Sequence, residues 1–281
     1  MQAGRLIVDA QVHLWLAETP ERPWPPGGRA RAQLPYPFTY DMLLPMMDEA
    51  GVDRAVIVPP SFEGDRNDYA LEAARKYPGR FAVMGRIALN DPRSAARLPG
   101  WRDHPGMLGF RVTFLNKLAS WLTDGTADWF WPAAEKAGIP VMVLAVDMAG
   151  LAPVAERHAG LAIIIDHMGL SGEAVKAGRR DSAIAATVAL ARFPNVSVKL
   201  SSAPAYSSEP YPFRDMTPYL RRVFDAYGPQ RCYWGTDITN SLAKASYRQR
   251  IDHFAEELDF LSEADRDLIM GRGILAPLKW T

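Results

Sequence analysis

Short apolar stretches rich in β-branched residues recur along the chain, and most are followed by segments whose apolar positions return every three or four residues. Eight such stretches stand out: Leu6–Val12, Arg54–Val58, Arg80–Ile87, Leu108–Val112, Pro140–Val146, Leu161–Asp166, Val196–Leu200 and Arg231–Gly235, the last placed mainly by its position in the series. Helical periodicity marks Asp41–Ala50, Asn67–Tyr77, Ala127–Ala137, Leu151–His158, Ser182–Phe193, Asp215–Tyr227 and Tyr247–Leu258. Several of these segments end on helix stops, as at Ala50-Gly51, Tyr77-Pro78-Gly79, Ala137-Gly138 and Tyr227-Gly228-Pro229. Ser262-Glu263-Ala264-Asp265 reads as the cap of one more helix running to Ile269. Strands alternating with helices predict a parallel sheet wrapped by helices. Eight such units in 281 residues predict an α/β fold of the (β/α)8 TIM barrel type, a single domain over residues 1–281.

Composition narrows the partners. The chain carries 32 basic and 32 acidic side chains with no block of either sign, so neither nucleic acid nor an anionic membrane is an expected partner. A small molecule is. No run of ~18 apolar residues suggests a membrane span, and Met1–Leu16 lacks the pattern of a secretory leader, so a cytoplasmic protein is expected. The single cysteine, Cys232, has no partner for a disulfide and sits in the last strand as a packing residue. Eight tryptophans permit a homodimer without requiring one. Of the 23 prolines, six fall between Pro20 and Pro37. The segment 14–38 that holds them leaves the end of the first strand, and it reads either as a rigid surface excursion or as a lid with Trp15 or Trp24 facing a substrate.

Candidate chemistry gathers at strand ends. Asp9, Gln11 and His13 are spaced two apart, so a regular pleat puts them on one face, with Val8, Ala10 and Val12 turned toward the helices. The sixth strand delivers Asp166 and His167, and the eighth delivers Asp237 through Trp234-Gly-Thr-Asp. Arg111 emerges from the apolar fourth strand and suits a carboxylate or carbonyl oxygen, with Arg86 in the third strand as an auxiliary. Lys199 in the seventh strand reads as a buried partner of a strand carboxylate or as a substrate contact, and Tyr206 and Asn240 follow the seventh and eighth strands as candidate pocket residues. His104, His158 and His253 lie in a polar loop or on helices and are expected to be ordinary.

In this order, Asp9-Ala-Gln-Val-His13-Leu-Trp, Gly51-Val-Asp-Arg-Ala-Val-Ile-Val, Gly109-Phe-Arg, Asp166-His-Met-Gly, Val198-Lys-Leu-Ser and Trp234-Gly-Thr-Asp237 resemble the amidohydrolase superfamily over nearly the whole chain. The likeness is to its amidohydrolase-related branch, which contains lactonases of pyrone dicarboxylate, sulfomuconolactone and sugar lactones. Three positions depart from the family pattern. Gln11 replaces the first histidine of Asp-x-His-x-His, Leu144 stands where metal-binding members place a histidine or modified lysine, and Ile238-Thr239 follow Asp237 in place of Trp-Pro.

The resemblance implies a hydrolase that opens a small lactone bearing a carboxylate or hydroxyls. Asp237 would be the general base, with His13, His167 and Gln11 donating hydrogen bonds to the carbonyl oxygen. A neutral amide is a poor zinc ligand, so a site that needs no cofactor is expected; zinc held by His13, His167 and Asp237 is the alternative. A metal-dependent amidohydrolase or a non-oxidative decarboxylase of an aromatic acid is the competing reading, and a barrel that only binds a ligand is the third.

Overall fold

The computed structural model describes residues 4–281; the first three residues, part of the stretch searched for a leader, lie outside it. Eight strands form one sheet: β1 Val8–Val12, β2 Arg54–Ile57, β3 Phe81–Gly85, β4 Met107–Phe114, β5 Val141–Ala145, β6 Ile163–Ile165, β7 Val196–Ser201 and β8 Cys232–Gly235. Each pairs in parallel with the next. The eighth returns beside the first, where the Asp237 amide donates to the Gln11 carbonyl oxygen at 2.8 Å and the Thr236 amide to the Asp9 carboxylate at 2.8 Å. Gly235 permits that approach, because a Cβ there would stand 3.1 Å from the Gln11 nitrogen and 3.3 Å from Asp9 Oδ1. All eight predicted strands are present, within the expected TIM barrel.

Alternation along the strands separates two apolar layers. Val56, Ala82, Met84, Ile164 and Tyr233 belong to a cluster inside the sheet, whereas Ile57, Val83, Ile165, Val198 and Trp234 join the larger cluster beneath the helices. The first strand departs from regular alternation. Between the pairs Asp9–Ala55 and Val12–Ile57, β1 advances three residues while β2 advances two, which defines a bulge. Val8 and Ala10 therefore turn into the inner cluster, correcting the expectation that they face the helices. Asp9 is separated from Gln11 and His13: it accepts from Thr236 Oγ1, Tyr247 Oη and two backbone amides, so its role is to tie β1 to β8 and to the helix Tyr247–Asp252.

The segment 14–38 is folded rather than loose. The Trp15 amide donates to the Phe38 carbonyl at 2.9 Å and closes its neck, and Gly28–Arg31 forms a helical turn that the sequence pattern did not show. Arg22 holds Asp68 through two hydrogen bonds and Glu63 through a third, and Trp24 packs on Phe62. Among the described residues no helix is long and apolar enough to cross a membrane.

The expected helix Tyr247–Leu258 is interrupted, since Tyr247–Asp252 is α-helical and His253–Glu257 forms a wider π turn. His253 is 1% exposed between Phe213 and Phe254, its Nε2 has no partner, and burial pushes it down to about 4. A histidine whose folded pKa lies below its unfolded value of about 6.5 binds protons preferentially in the unfolded state, so stability is full above that pH and falls as pH drops toward 4. The loss expected from His253 between pH 7 and pH 4 is about 3 kcal/mol. His167, also pushed down by burial, adds a loss in the same direction. Urea unfolding of His253→Phe at the two pH values should show a correspondingly smaller acid loss than the parent. An equal loss in both proteins would show that this histidine is not responsible.

Candidate active site

Gln11 on β1 and His13 just after it, Arg111 and Thr113 on β4, Asp166 and His167 after β6, Lys199 and Ser201 on β7, and Asp237 after β8 converge at the carboxyl ends of the strands. Parallel barrels expose strand-end groups there and fill the rest of the interior with side chains. His167, Ser202 and Asp237 all adopt left-handed backbone, with φ of 53, 64 and 49°. For residues with a Cβ this conformation is strained, and it turns the side chains off the strand direction into the mouth.

A buried ionic group lies under the site. Arg111 Nε donates to Asp166 Oδ2 at 3.1 Å, and Lys199 Nζ is 2.8 Å from Asp166 Oδ1. Burial pushes the Asp166 carboxyl up, but the charges of Lys199 and Arg111 outweigh it and hold the group below the usual carboxylate range. Burial draws the Lys199 ammonium down against the pull of Asp166, and the pair stays ionised because each charge has the other as its nearest counter-charge. The lysine is thus the structural partner of a carboxylate and does not line the cleft.

The hydrogen bonds fix the protonation of His13. Its Nδ1 is 2.6 Å from the Val58 carbonyl oxygen, an acceptor only, so Nδ1 carries hydrogen. Lys199 Nζ, a donor only, is 2.5 Å from Gln11 Oε1, which turns the amide nitrogen toward His13 Nε2 at 3.4 Å. His13 Nε2 is therefore an acceptor. This corrects the expected roles: Gln11 is fully buried and addresses His13 instead of a substrate, and His13 is not placed as a hydrogen-bond donor. Asp237 Oδ1 lies 3.2 Å from the same nitrogen, buried and without a hydrogen-bond partner. Burial opposes ionisation of Asp237, yet its polar surroundings, the Ser202 hydroxyl among them, outweigh it and hold the carboxyl well below its ordinary value.

Above these groups opens a cleft of about 190 Å³. His13, Arg111, His167, Tyr206, Asp237 and Asn240 line it, as the sequence suggested; Tyr206 Oη donates to the Leu170 carbonyl at 3.0 Å. Trp15 does not: it is buried against Phe38 and Phe62 and borders a separate hollow inside the segment 14–38. Arg86 also stays behind the wall, sharing Thr113 Oγ1 with Arg111, and burial together with the Arg111 charge brings it down to about 10. The residues missed from sequence are Ser201 and Ser202 beside His167, Thr113, and Arg31 and Gln33, which form the wall contributed by segment 14–38. Ser201 shares the inward phase of Lys199, which is a readable signal; nothing in the pattern singled out Arg31 or Gln33. A larger cleft of about 280 Å³ opens near the amino ends of β1 and β2, lined by Arg5, Ile7, Gly51 and Met270, but Arg5 there is paired to Glu263 and Asp267.

These features define an α/β-barrel protein with an ionisable site at the carboxyl ends of its strands. The chain belongs to the amidohydrolase family, whose model matches residues 8–272. It is 27% identical to an L-fucono-1,5-lactonase of Burkholderia ambifaria over 234 residues, 82% of this chain and 79% of that protein. It is 26% identical to a 4-sulfomuconolactone hydrolase of Hydrogenophaga intermedia over 225 residues, 77% of this chain and 70% of that protein. Among solved structures, an amidohydrolase of Burkholderia multivorans with bound zinc matches with a TM-score of 0.81 at 23% identity, over 98% of this chain and 99% of that one, a likeness of fold.

The donor set departs from that of a usual zinc site. Among the described residues no three His, Cys, Asp or Glu side chains are grouped so as to hold a metal ion. The amide hydrogens of Gln11 point at the His13 nitrogen that would be a ligand, and the Lys199 ammonium stands directly behind that amide.

Proposed function

We propose that the chain hydrolyses a small anionic lactone, with Asp237 as the general base and no metal. The observation that carries this reading is the pair of acceptors at the cleft floor, Asp237 Oδ1 and His13 Nε2, 3.2 Å apart. Two lone pairs this close repel unless a donor bridges them, and a water supplies two O–H groups. One proton of that water passes to Asp237 Oδ1 as its oxygen attacks the lactone carbonyl carbon. The developing oxyanion is met by Arg111, whose Nη2 makes no hydrogen bond to other described residues while Nε and Nη1 are anchored on Asp166 and Thr113. Collapse breaks the ring C–O bond, and the departing oxygen takes the proton from Asp237, giving the ring-opened hydroxy acid. Arg31 at the wall and the unbonded Nη2 of Arg111 offer donors to an anion in the cleft, which favours a substrate carrying a carboxylate. The lactone-acting names of the curated relatives support the reaction class. Segment 14–38 supplies a wall that Gln33 fastens to Thr239, and in this reading it screens the mouth from solvent.

The test is a panel of five- and six-membered lactones, with and without a carboxylate, followed by mass analysis of the products. A ring-opened hydroxy acid is expected; release of carbon dioxide from aromatic acids with every lactone untouched would overturn the proposal. Treatment with a chelator followed by exhaustive dialysis is expected to leave kcat within about twofold of the untreated protein, since protein donors take the electrophile's place. Stoichiometric zinc in the purified protein, with activity lost on its removal and restored on its return, would instead show that the metal is required.

A further inference from the structure

Ser202 follows β7 and is 1% exposed, with φ of 64°. Its hydroxyl has one proton to give. Asp237 Oδ2, which can only accept, lies 2.5 Å away and receives it. What remains on Ser202 Oγ is lone-pair density, and His167 Nδ1 is 3.1 Å from that oxygen, so Nδ1 must carry hydrogen to make the contact favourable. Ser201 Oγ, 2.8 Å from the same nitrogen, accepts from it equally well. His167, which lines the cleft, is thereby held with its Nδ1 protonated and its Nε2 bare, 3.8 Å from Asp237 Oδ2. The same hydroxyl satisfies one oxygen of Asp237 and leaves the other, Oδ1, without a partner beside His13.

We propose that Ser202 is a positioning residue of the hydrolytic site, which selects Oδ1 of Asp237 as the basic oxygen and fixes the tautomer of His167. The proposal rests on the reading of Asp237 as general base. A purely structural role is a poor account of a serine here, because glycine adopts positive φ with less strain. What serine adds over glycine at this position is the hydroxyl.

Ser202→Gly removes the hydroxyl and relaxes the backbone, which separates the two roles. On the best lactone of the panel, kcat is expected to fall about 10- to 100-fold, the loss typical of one hydrogen bond to a charged group, with KM within about threefold and the melting temperature undiminished. Nitrogen-15 spectra of the imidazoles, with His167 assigned through His167→Gln, are expected to show Nδ1–H and bare Nε2 in the parent and a mixture of tautomers in Ser202→Gly. A kcat within threefold of the parent, or an unchanged His167 tautomer, overturns the proposal. A kcat loss accompanied by a lower melting temperature and a matching rise in KM overturns it as well, in favour of packing. If the parent opens no lactone, the general-base reading fails by itself, and the spectra still decide whether Ser202 fixes the tautomer.

Discussion

Asp237→Asn is expected to lower kcat for lactone opening by about 10³-fold, within the 10²- to 10⁴-fold range of a lost general base, while KM changes little. Asparagine matches the carboxylate in shape. Its amide oxygen can still accept from Ser202 Oγ, so that hydrogen bond survives, and its nitrogen can donate to His13 Nε2. What disappears is the acceptor of the water's proton. Because its polar surroundings, the Ser202 hydroxyl among them, hold the parent carboxyl well below its usual range against the effect of burial, the base is ionised throughout the neutral region. The ratio of parent to variant rates should therefore stay constant between about pH 6 and 8. Steady-state kinetics on one lactone at several pH values measures both quantities, and a variant retaining near-parent kcat removes Asp237 from the chemistry.

Much of this site is legible in the sequence, for a physical reason. Parallel strands buried on both faces are near-continuous apolar runs, so a charged or imidazole side chain at the end of such a run stands out. His13, Arg111, His167 and Asp237 were found that way, and they do line one cleft. The errors have equally specific causes. Grouping Asp9 with Gln11 and His13 assumed an uninterrupted two-residue period, and one extra residue in β1 reverses the phase before Gln11. The resemblance implies that Gln11 donates to the substrate carbonyl, but Lys199 reaches its oxygen and turns its amide to His13. Trp15 followed a polar strand end and resembled a pocket residue; its neighbours Phe38 and Phe62, distant in sequence, make it core. Ser202 gave no sign, because its importance lies in which two groups share its single hydroxyl.

The ionic group beneath the cleft yields the largest expected loss of stability. Asp166 is fully buried, and among the described residues it is the only carboxylate paired with both Arg111 and Lys199. Asp166→Asn would leave those two cations without a counter-charge in the barrel interior, close to Arg86, whose guanidinium already feels the charge of Arg111. Breaking a buried pair in this way costs about 3–5 kcal/mol. Lys199→Met should cost less, because Asp166 keeps Arg111 as a partner and a methionine fills much of the vacated volume. Urea unfolding reads both as shifts in midpoint at constant slope. The order matters more than either size: if Lys199→Met proves as damaging as Asp166→Asn, Arg111 is not an effective partner of Asp166. Its guanidinium would then lack the anchor that leaves Nη2 free of protein partners among the described residues, and the role proposed for Arg111 in stabilising the oxyanion would fall with it.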